Sequence, residues 1–325
     1  MVKTGFALFL LLAVFTSGRV SAKSVPDTVK VGVYIVSVHD INFRDKEYTV
    51  RFWLWFVYKA HKPGEGPKFD FPDQIDITNA KEIDQPKVIA DTVDGKVWVQ
   101  MRMKCTMKEN WKVHDFPFDE QHLKVILENT EFDNTELVFV ADTVDSRFDN
   151  LEVLDSWKVD GFKVSTRDNF YKTGFGEPRL NRENNAFSAF VFEMDIARHA
   201  LGLFAKIFIG MYIAFLIALV SFFSDPGELE PRFGLPVGGL FAAVGNKYII
   251  DSLLPESSQF SLVDTLHSLT FFGIFGILTV SAIALKLHNS NNIIASHRVN
   301  RIGAIIVLTA YFAANAYFIT VDVTT

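Results

Sequence analysis

Residues 116–121 read Phe116-Pro117-Phe118-Asp119-Glu120-Gln121, and ~80 residues later the chain turns into a series of long apolar runs. In the hexapeptide the proline fixes the backbone as a turn. The two phenylalanines need an apolar surface, and the carboxylate beside them needs a partner if it is to be buried. The later runs supply such a surface. Leu201–Phe223, Phe233–Leu254, Leu266–Leu287 and Ile302–Val321 are 23, 22, 22 and 20 residues long. As helices, each is long enough to cross a hydrocarbon core of about 30 Å. The hexapeptide is therefore expected at a seam between two domains.

Working back from that seam, Val25 to Arg198 has a period of two. Val29, Val31, Val33 and Ile35 alternate with Lys30, Gly32 and Tyr34, and Val97, Val99, Met101 and Met103 alternate with Trp98, Gln100, Arg102 and Lys104. Arg51, Trp53 and Trp55 oppose Phe52, Leu54 and Phe56 in a strand that is apolar on both faces. Short strands parted by Gly, Pro, Asn and Asp predict a β-sandwich, residues 23–198, followed by a four-helix transmembrane domain, residues 199–325. In front of them, Lys3, the run Phe6–Phe15 and the small residues Val20-Ser21-Ala22 read as a signal peptide over residues 1–22. An exported N-terminus and four crossings put the sandwich and the C-terminus outside the cell or in the periplasm. The basic loop with Lys286, His288, His297, Arg298 and Arg301 then lies inside. The expected location is the inner (plasma) membrane.

Cys105 is the only cysteine, so no intrachain disulfide can form, and it reads as a packed small residue on a strand. Residues 23–198 hold 24 basic and 31 acidic side chains, a net of −7. An acidic exterior argues against nucleic acid and favours cationic or proton-linked ligands. There is no His-Glu-x-x-His, nucleophile elbow, P-loop or dinucleotide fingerprint. No catalytic residue, cofactor or metal site is expected. The acids Asp142, Asp145, Asp149, Glu152 and Asp155 are not spaced as an EF-hand and read as a solvated turn, with a weak divalent-cation site as the alternative.

Several further segments fall in an order that, with the hexapeptide, resembles the pentameric ligand-gated ion channel superfamily. These are Tyr48-Thr49-Val50 with Trp53-Leu54 and Tyr58-Lys59, Pro72-Asp73 with Asn79-Ala80, Asp94 to Trp98, Asp155 to Lys158, Phe170 to Gly176, and Arg198 before the first membrane helix. The resemblance covers essentially the whole chain after the leader. The family's paired cysteines fall at Glu109 and Leu123, so the loop is not covalently closed, as in the bacterial branch. The resemblance implies a homopentamer that binds a small ligand or protons between neighbouring sandwiches. Trp53 would lie on one side of that site, and Asn79, Phe170, Tyr171 and Phe175 on the other. It also implies a coupling zone of Asp40, at the first hairpin tip, with Phe116, Pro117, Phe118, Asp119, Arg198 and Pro255.

By the same resemblance the second membrane helix lines the pore. Counted back from Pro255, its pore face would be Gly234, Gly238, Phe241, Gly245, Tyr248 and Ser252, steps of four and three on one helix face. Glu230 at the inner mouth would favour a permeant cation, and Phe241 would form an apolar gate. Glycines four apart also suit close helix packing, and both readings stand. Pro236 is compatible with a helix that begins at Gly234 or Leu235. Lys247 and Asp251 either pair and reach toward the interface or mark a functional site. The alternative to a channel is a non-conducting membrane receptor or scaffold of the same architecture.

Overall fold

The computed structural model describes residues 25–61, 68–84, 86–148, 157–176, 185–256 and 259–324. The leader and Asp149, Glu152, Asp155 and Ser156 lie outside these residues. The strands in chain order are β1 Asp27–Asn42, β2 Glu47–Lys59, β3 Ile75–Ile77 (after a one-turn helix, α1 Phe71–Gln74), β4 Ala80–Ile83, β5 Lys87–Val93 and β6 Lys96–Lys108. They continue as β7 Glu120–Asn129, β8 Leu137–Ala141, β9 Arg147–Phe148, β10 Trp157–Tyr171 and β11 Asn185–Arg198. One sheet runs β4-β6-β2-β1-β8, with β5 added on β6 and β9 on β1; the other runs β10-β11-β7-β3.

The alternation sets the core. Val29, Val31, Val33 and Ile35 of β1 and Phe52, Leu54 and Phe56 of β2 point inward with Met101, Met103 and Cys105 of β6. They face Leu123, Val125 and Leu127 of β7 and Phe190, Phe192, Met194 and Ile196 of β11. Phe52 and Phe192 meet edge to face at 5.1 Å between ring centres, joining the two sheets. Each such side chain contributes about 1.5–3 kcal/mol by leaving water. Cys105 is fully buried in this core, and burial pushes its thiol up to about 12. Gly32 is required by its cross-strand neighbour: a Cβ there would stand 2.3 Å from the Trp55 ring, which lies flat over β1.

Four helices follow: α2 Ala200–Val220, prolonged by a tighter turn over Ser221–Phe223, then α3 Leu229–Asp251, α4 Leu262–Asn289 and α5 Ile293–Thr324. All four are long and apolar enough to span a membrane, and the protein is a multi-pass membrane protein. Two boundaries differ from those expected. Helix α3 begins at Leu229, not near Phe233, so Pro236 lies inside it and denies the Arg232 carbonyl its i+4 donor. The early start is held by Arg232, which is fully buried: its Nη1 donates to the Ser224 carbonyl at 3.0 Å and its Nη2 to Asn300 Oδ1 at 2.6 Å. Helix α5 begins nine residues before Ile302, because its first turns are polar and only the later ones form an apolar run. His288 and His297 are accordingly helical, not in a loop, and each has a ring nitrogen 3.9 Å from a carboxylate oxygen of Asp225. Helix α4 opens on a capping box in which Ser261 and Asp264 satisfy each other's backbone N–H groups.

Candidate functional site

The loop 116–119 is wedged into the top of the helices. Phe116 is buried in a cluster with Phe208 and Met211 of α2, Ile250 of α3, and Leu262, Val263 and Leu266 of α4. Phe118 meets Phe204 at 5.6 Å between ring centres. The backbone N–H of Leu262, the first residue of α4, donates to the His114 carbonyl at 2.9 Å, so the loop and the helix share a main-chain bond.

At the sandwich end of the wedge Asp119 is buried and accepts three side-chain hydrogen bonds. Arg198 Nε reaches Oδ1 at 3.0 Å, while Arg198 Nη2 at 3.4 Å and Gln121 Nε2 at 2.8 Å reach Oδ2. The Arg198 guanidinium sits 4.0 Å from the Trp157 ring centre, 4.8 Å from Phe43 and 5.1 Å from Phe116. Aromatic faces replace the water this cation has lost. The first hairpin tip is not at Asp40. Strand β1 continues past a register shift to Asn42 and the turn is Phe43–Lys46, which brings Phe43 onto Trp111 at 4.7 Å. Asp40 instead bonds His39 at 2.8 Å in a left-handed conformation, φ 53°. Pro255 is buried after α3.

The residues expected to share a binding site fall on two faces. Trp53 lies on the outer face of the first sheet beside its cross-strand neighbours Tyr34 and Arg102, with the Arg102 guanidinium 5.5 Å from its ring centre. Tyr171 lies on the outer face of the second sheet, packed with Phe175 at 5.3 Å and Phe187 at 5.9 Å. Phe170 alternates to the other side of β10, is 73% exposed, and stays outside that aromatic group. Asn79 is occupied by the free edge of β7: its Nδ2 donates to the Lys124 carbonyl at 2.6 Å and its Oδ1 accepts from the Ile126 N–H at 3.1 Å.

Tyr171 of this aromatic group also touches a buried acid, Glu128, which the sequence did not mark. It accepts from the Tyr171 hydroxyl at 2.8 Å and from Asn169 Nδ2, both neutral donors. Burial first, and then the bond to Glu128, push the Tyr171 phenol up to about 12. Asp142 is engaged differently. Burial opposes its charge, but Lys30 Nζ at 3.0 Å, the Asp145 N–H and Trp55 Nε1 at 3.3 Å hold its carboxyl below the usual range. Among the described residues no cluster of His, Cys, Asp or Glu is placed to hold a metal ion.

Helix α3 has two unlike faces. Pro236, Gly239, Ala243 and Ile250 are buried, and a Cβ at Gly239 would stand 2.6 Å from the Ala214 carbonyl of α2. Gly234, Gly238, Phe241, Gly245, Tyr248 and Ser252 are exposed together, and a Cβ at any of the three glycines would meet nothing within 4 Å. Close packing within the chain therefore belongs to Gly239 and not to this glycine row. Glu230 is exposed one turn before Gly234, whereas Arg232 is turned into the bundle. Lys247 bonds Asp251 at 2.6 Å and also Asp264 of α4 at 2.7 Å, which makes the pair an interhelical clip.

No family model matches the chain, and no curated protein matches it either. Function is therefore argued from the geometry. Sequence reasoning missed Glu128, Phe187 and Tyr34, and the alternation carried no signal for Glu128, whose strand face also holds His122, Lys124 and Thr130.

Proposed function

We propose that this chain is one subunit of a homopentameric ligand-gated ion channel, selective for cations, with the sandwich and the C-terminus outside the cytoplasm. The observation that carries the reading is the wedge of Phe116–Asp119 between α2, α3 and α4. It joins the strands that bear the Glu128 site to a helix with an uncovered glycine face. Trp53 and the Tyr171–Phe175–Phe187 group lie on opposite outer faces of one sandwich, so only a neighbouring copy can bring them together. A ring of five copies built by head-to-tail contacts supplies that neighbour five times. The buried Glu128 carboxylate, bonded by Tyr171 of the aromatic group, suits a small cation, gaining about 1–2 kcal/mol per good ring contact. Binding there shifts a two-state junction, and the shift passes through Arg198–Asp119 to α3.

In the pentamer the α3 faces line the pore, Phe241 forms its apolar constriction, and Glu230 attracts cations at the inner mouth. The experiment is recording from purified protein in planar bilayers. Phe241→Ser wets the constriction and raises spontaneous current, and Glu230→Gln lowers cation selectivity. A stable Phe241→Ser pentamer that stays silent would sink the channel reading in favour of a non-conducting receptor.

A further inference from the structure

On the outer face of the second sheet, between the Glu128 site and the membrane end, His122 of β7 stands directly opposite Asp195 of β11. His122 Nδ1 lies 2.5 Å from Asp195 Oδ1, and His122 Nε2 lies 3.5 Å from Glu193 Oε1. Both ring nitrogens thus face carboxylate oxygens, which only accept, while a neutral imidazole carries a single N–H. The arrangement is satisfied on both sides only when the ring holds two protons.

The charged groups around it favour that state. Lys124 of β7 bonds the same Glu193 oxygen at 3.3 Å, and Lys163 of β10 is in register with Glu193. Glu120 precedes His122 by two residues on the same strand face, and the Glu109 carboxylate acts on both His122 and Lys124 from the segment after β6. Four acids thus stand against two lysines.

These strands also carry the junction. Gln121, next to His122, donates to Asp119, and Arg198 follows Asp195 by three residues on β11. The register runs Asp195 to His122, Ile196 to Gln121 and Ala197 to Glu120, up to the Asp119–Arg198 bond. We propose that a proton held between His122, Asp195 and Glu193 fastens β7 to β11 and thereby keeps the Asp119–Arg198 junction in its observed geometry. The site is a proton-binding switch for the domain seam, and it does not require that the chain conduct.

The hydrogen bond to Asp195 raises His122 above the usual imidazole value, with burial acting in the opposite sense. A raised value in the folded state means that the stabilisation is complete below the ordinary value near ~6.5 and disappears as pH rises through the higher folded one. The test uses the full chain in lipid nanodiscs from pH ~5.5 to ~9, spanning that transition. Thermal unfolding and backbone hydrogen exchange, corrected for the intrinsic pH dependence of exchange, are the readouts.

Wild type should lose several-fold protection over residues 116–122 and 193–199 above the ordinary imidazole value, with a lower Tm. His122→Gln should show the weakened behaviour at every pH. His122→Lys, whose charge persists across the range, should keep the low-pH behaviour throughout. The proposal is overturned if His122→Gln retains the wild-type pH profile, if His122→Lys titrates like wild type, or if the change stops at residues 122 and 195 without reaching Asp119 and Arg198. Absence of current in bilayers would bear on the channel reading alone.

Discussion

The two halves of the chain close themselves to different degrees. The sandwich is complete within one copy: Val29, Val31, Phe52, Leu54, Leu123 and Phe192 have no exposed surface at all. The most apolar windows of α2, α3, α4 and α5 are only 28, 22, 28 and 11% buried. Lipid can cover Ile305, Ile306 and Phe312 of α5 as it covers any apolar side chain. The open face of α3 is different, because three of its six positions are glycine, which offers lipid almost no apolar surface. A half that is finished and a half that is unfinished meet at one seam, and the seam is where a change should propagate furthest.

The largest effect is expected there. Arg198→Ala leaves the Asp119 carboxylate buried with Gln121 as its one remaining side-chain donor among the described residues, and removing one member of such a pair costs about 3–5 kcal/mol. Denaturant unfolding of the sandwich reads this directly. A charge-swapped chain, Arg198→Asp with Asp119→Arg, should recover part of the loss. A cost below about 1 kcal/mol, the range of an exposed ion pair, would mean that the seam does not depend on the buried bond.

A smaller effect separates the faces of α3. Gly239→Val must push α2 away from the Ala214 carbonyl and should cost about 1–3 kcal/mol, as overpacking does. At Gly238 a Cβ would have nothing within 4 Å beyond its own helical turn, so Gly238→Val should be neutral or slightly stabilising in a chain that is not assembled, since glycine is a poor helix former. Equal losses in the thermal unfolding of monomer in detergent would erase the distinction between a packed and an open face.

What could be read in advance follows range of interaction. The alternation of Val29, Val31 and Val33 is local, and it yielded the strand and its buried face. The Lys247–Asp251 pair is also local, but its second partner, Asp264, lies on the next helix. The start of α3 was missed because Arg232 is anchored by Asn300, 68 residues away. The hairpin tip was misplaced because the register shift before Asn42 adds residues to β1 that alternation does not reveal. Glu128 looked like any acid on a strand; Asn169 and Tyr171, 41 and 43 residues on, make it a buried one.

Ligand affinity offers a further cut between the halves, since the proposed function puts the binding site in the sandwich and the response in the helices. Glu128→Gln removes the buried charge while keeping an acceptor for Tyr171 and Asn169. Affinity for a small alkylammonium ion should fall by about 1.5–3 kcal/mol, the contribution of a hydrogen bond to a charged group. Calorimetry measures it without any current. Unchanged affinity would place the cation elsewhere on the sandwich.

The smallest effect is expected at Trp53, where the finished half would meet a neighbouring copy in the proposed pentamer. Trp53 and Trp55 are two residues apart on one strand face, yet they have different work. Trp55 roofs Gly32 and donates to the buried Asp142, so Trp55→Ala should destabilise the sandwich itself. Trp53 lies beside its cross-strand neighbours and 5.5 Å from the Arg102 guanidinium, on the outer face of the sheet. Trp53→Ala should weaken the response to the same cation about tenfold, close to 1.4 kcal/mol, while unfolding and assembly stay as in wild type. If Trp53→Ala fails to assemble or loses as much stability as Trp55→Ala, the outer face of the first sheet is a structural surface and the ligand site between copies is wrong.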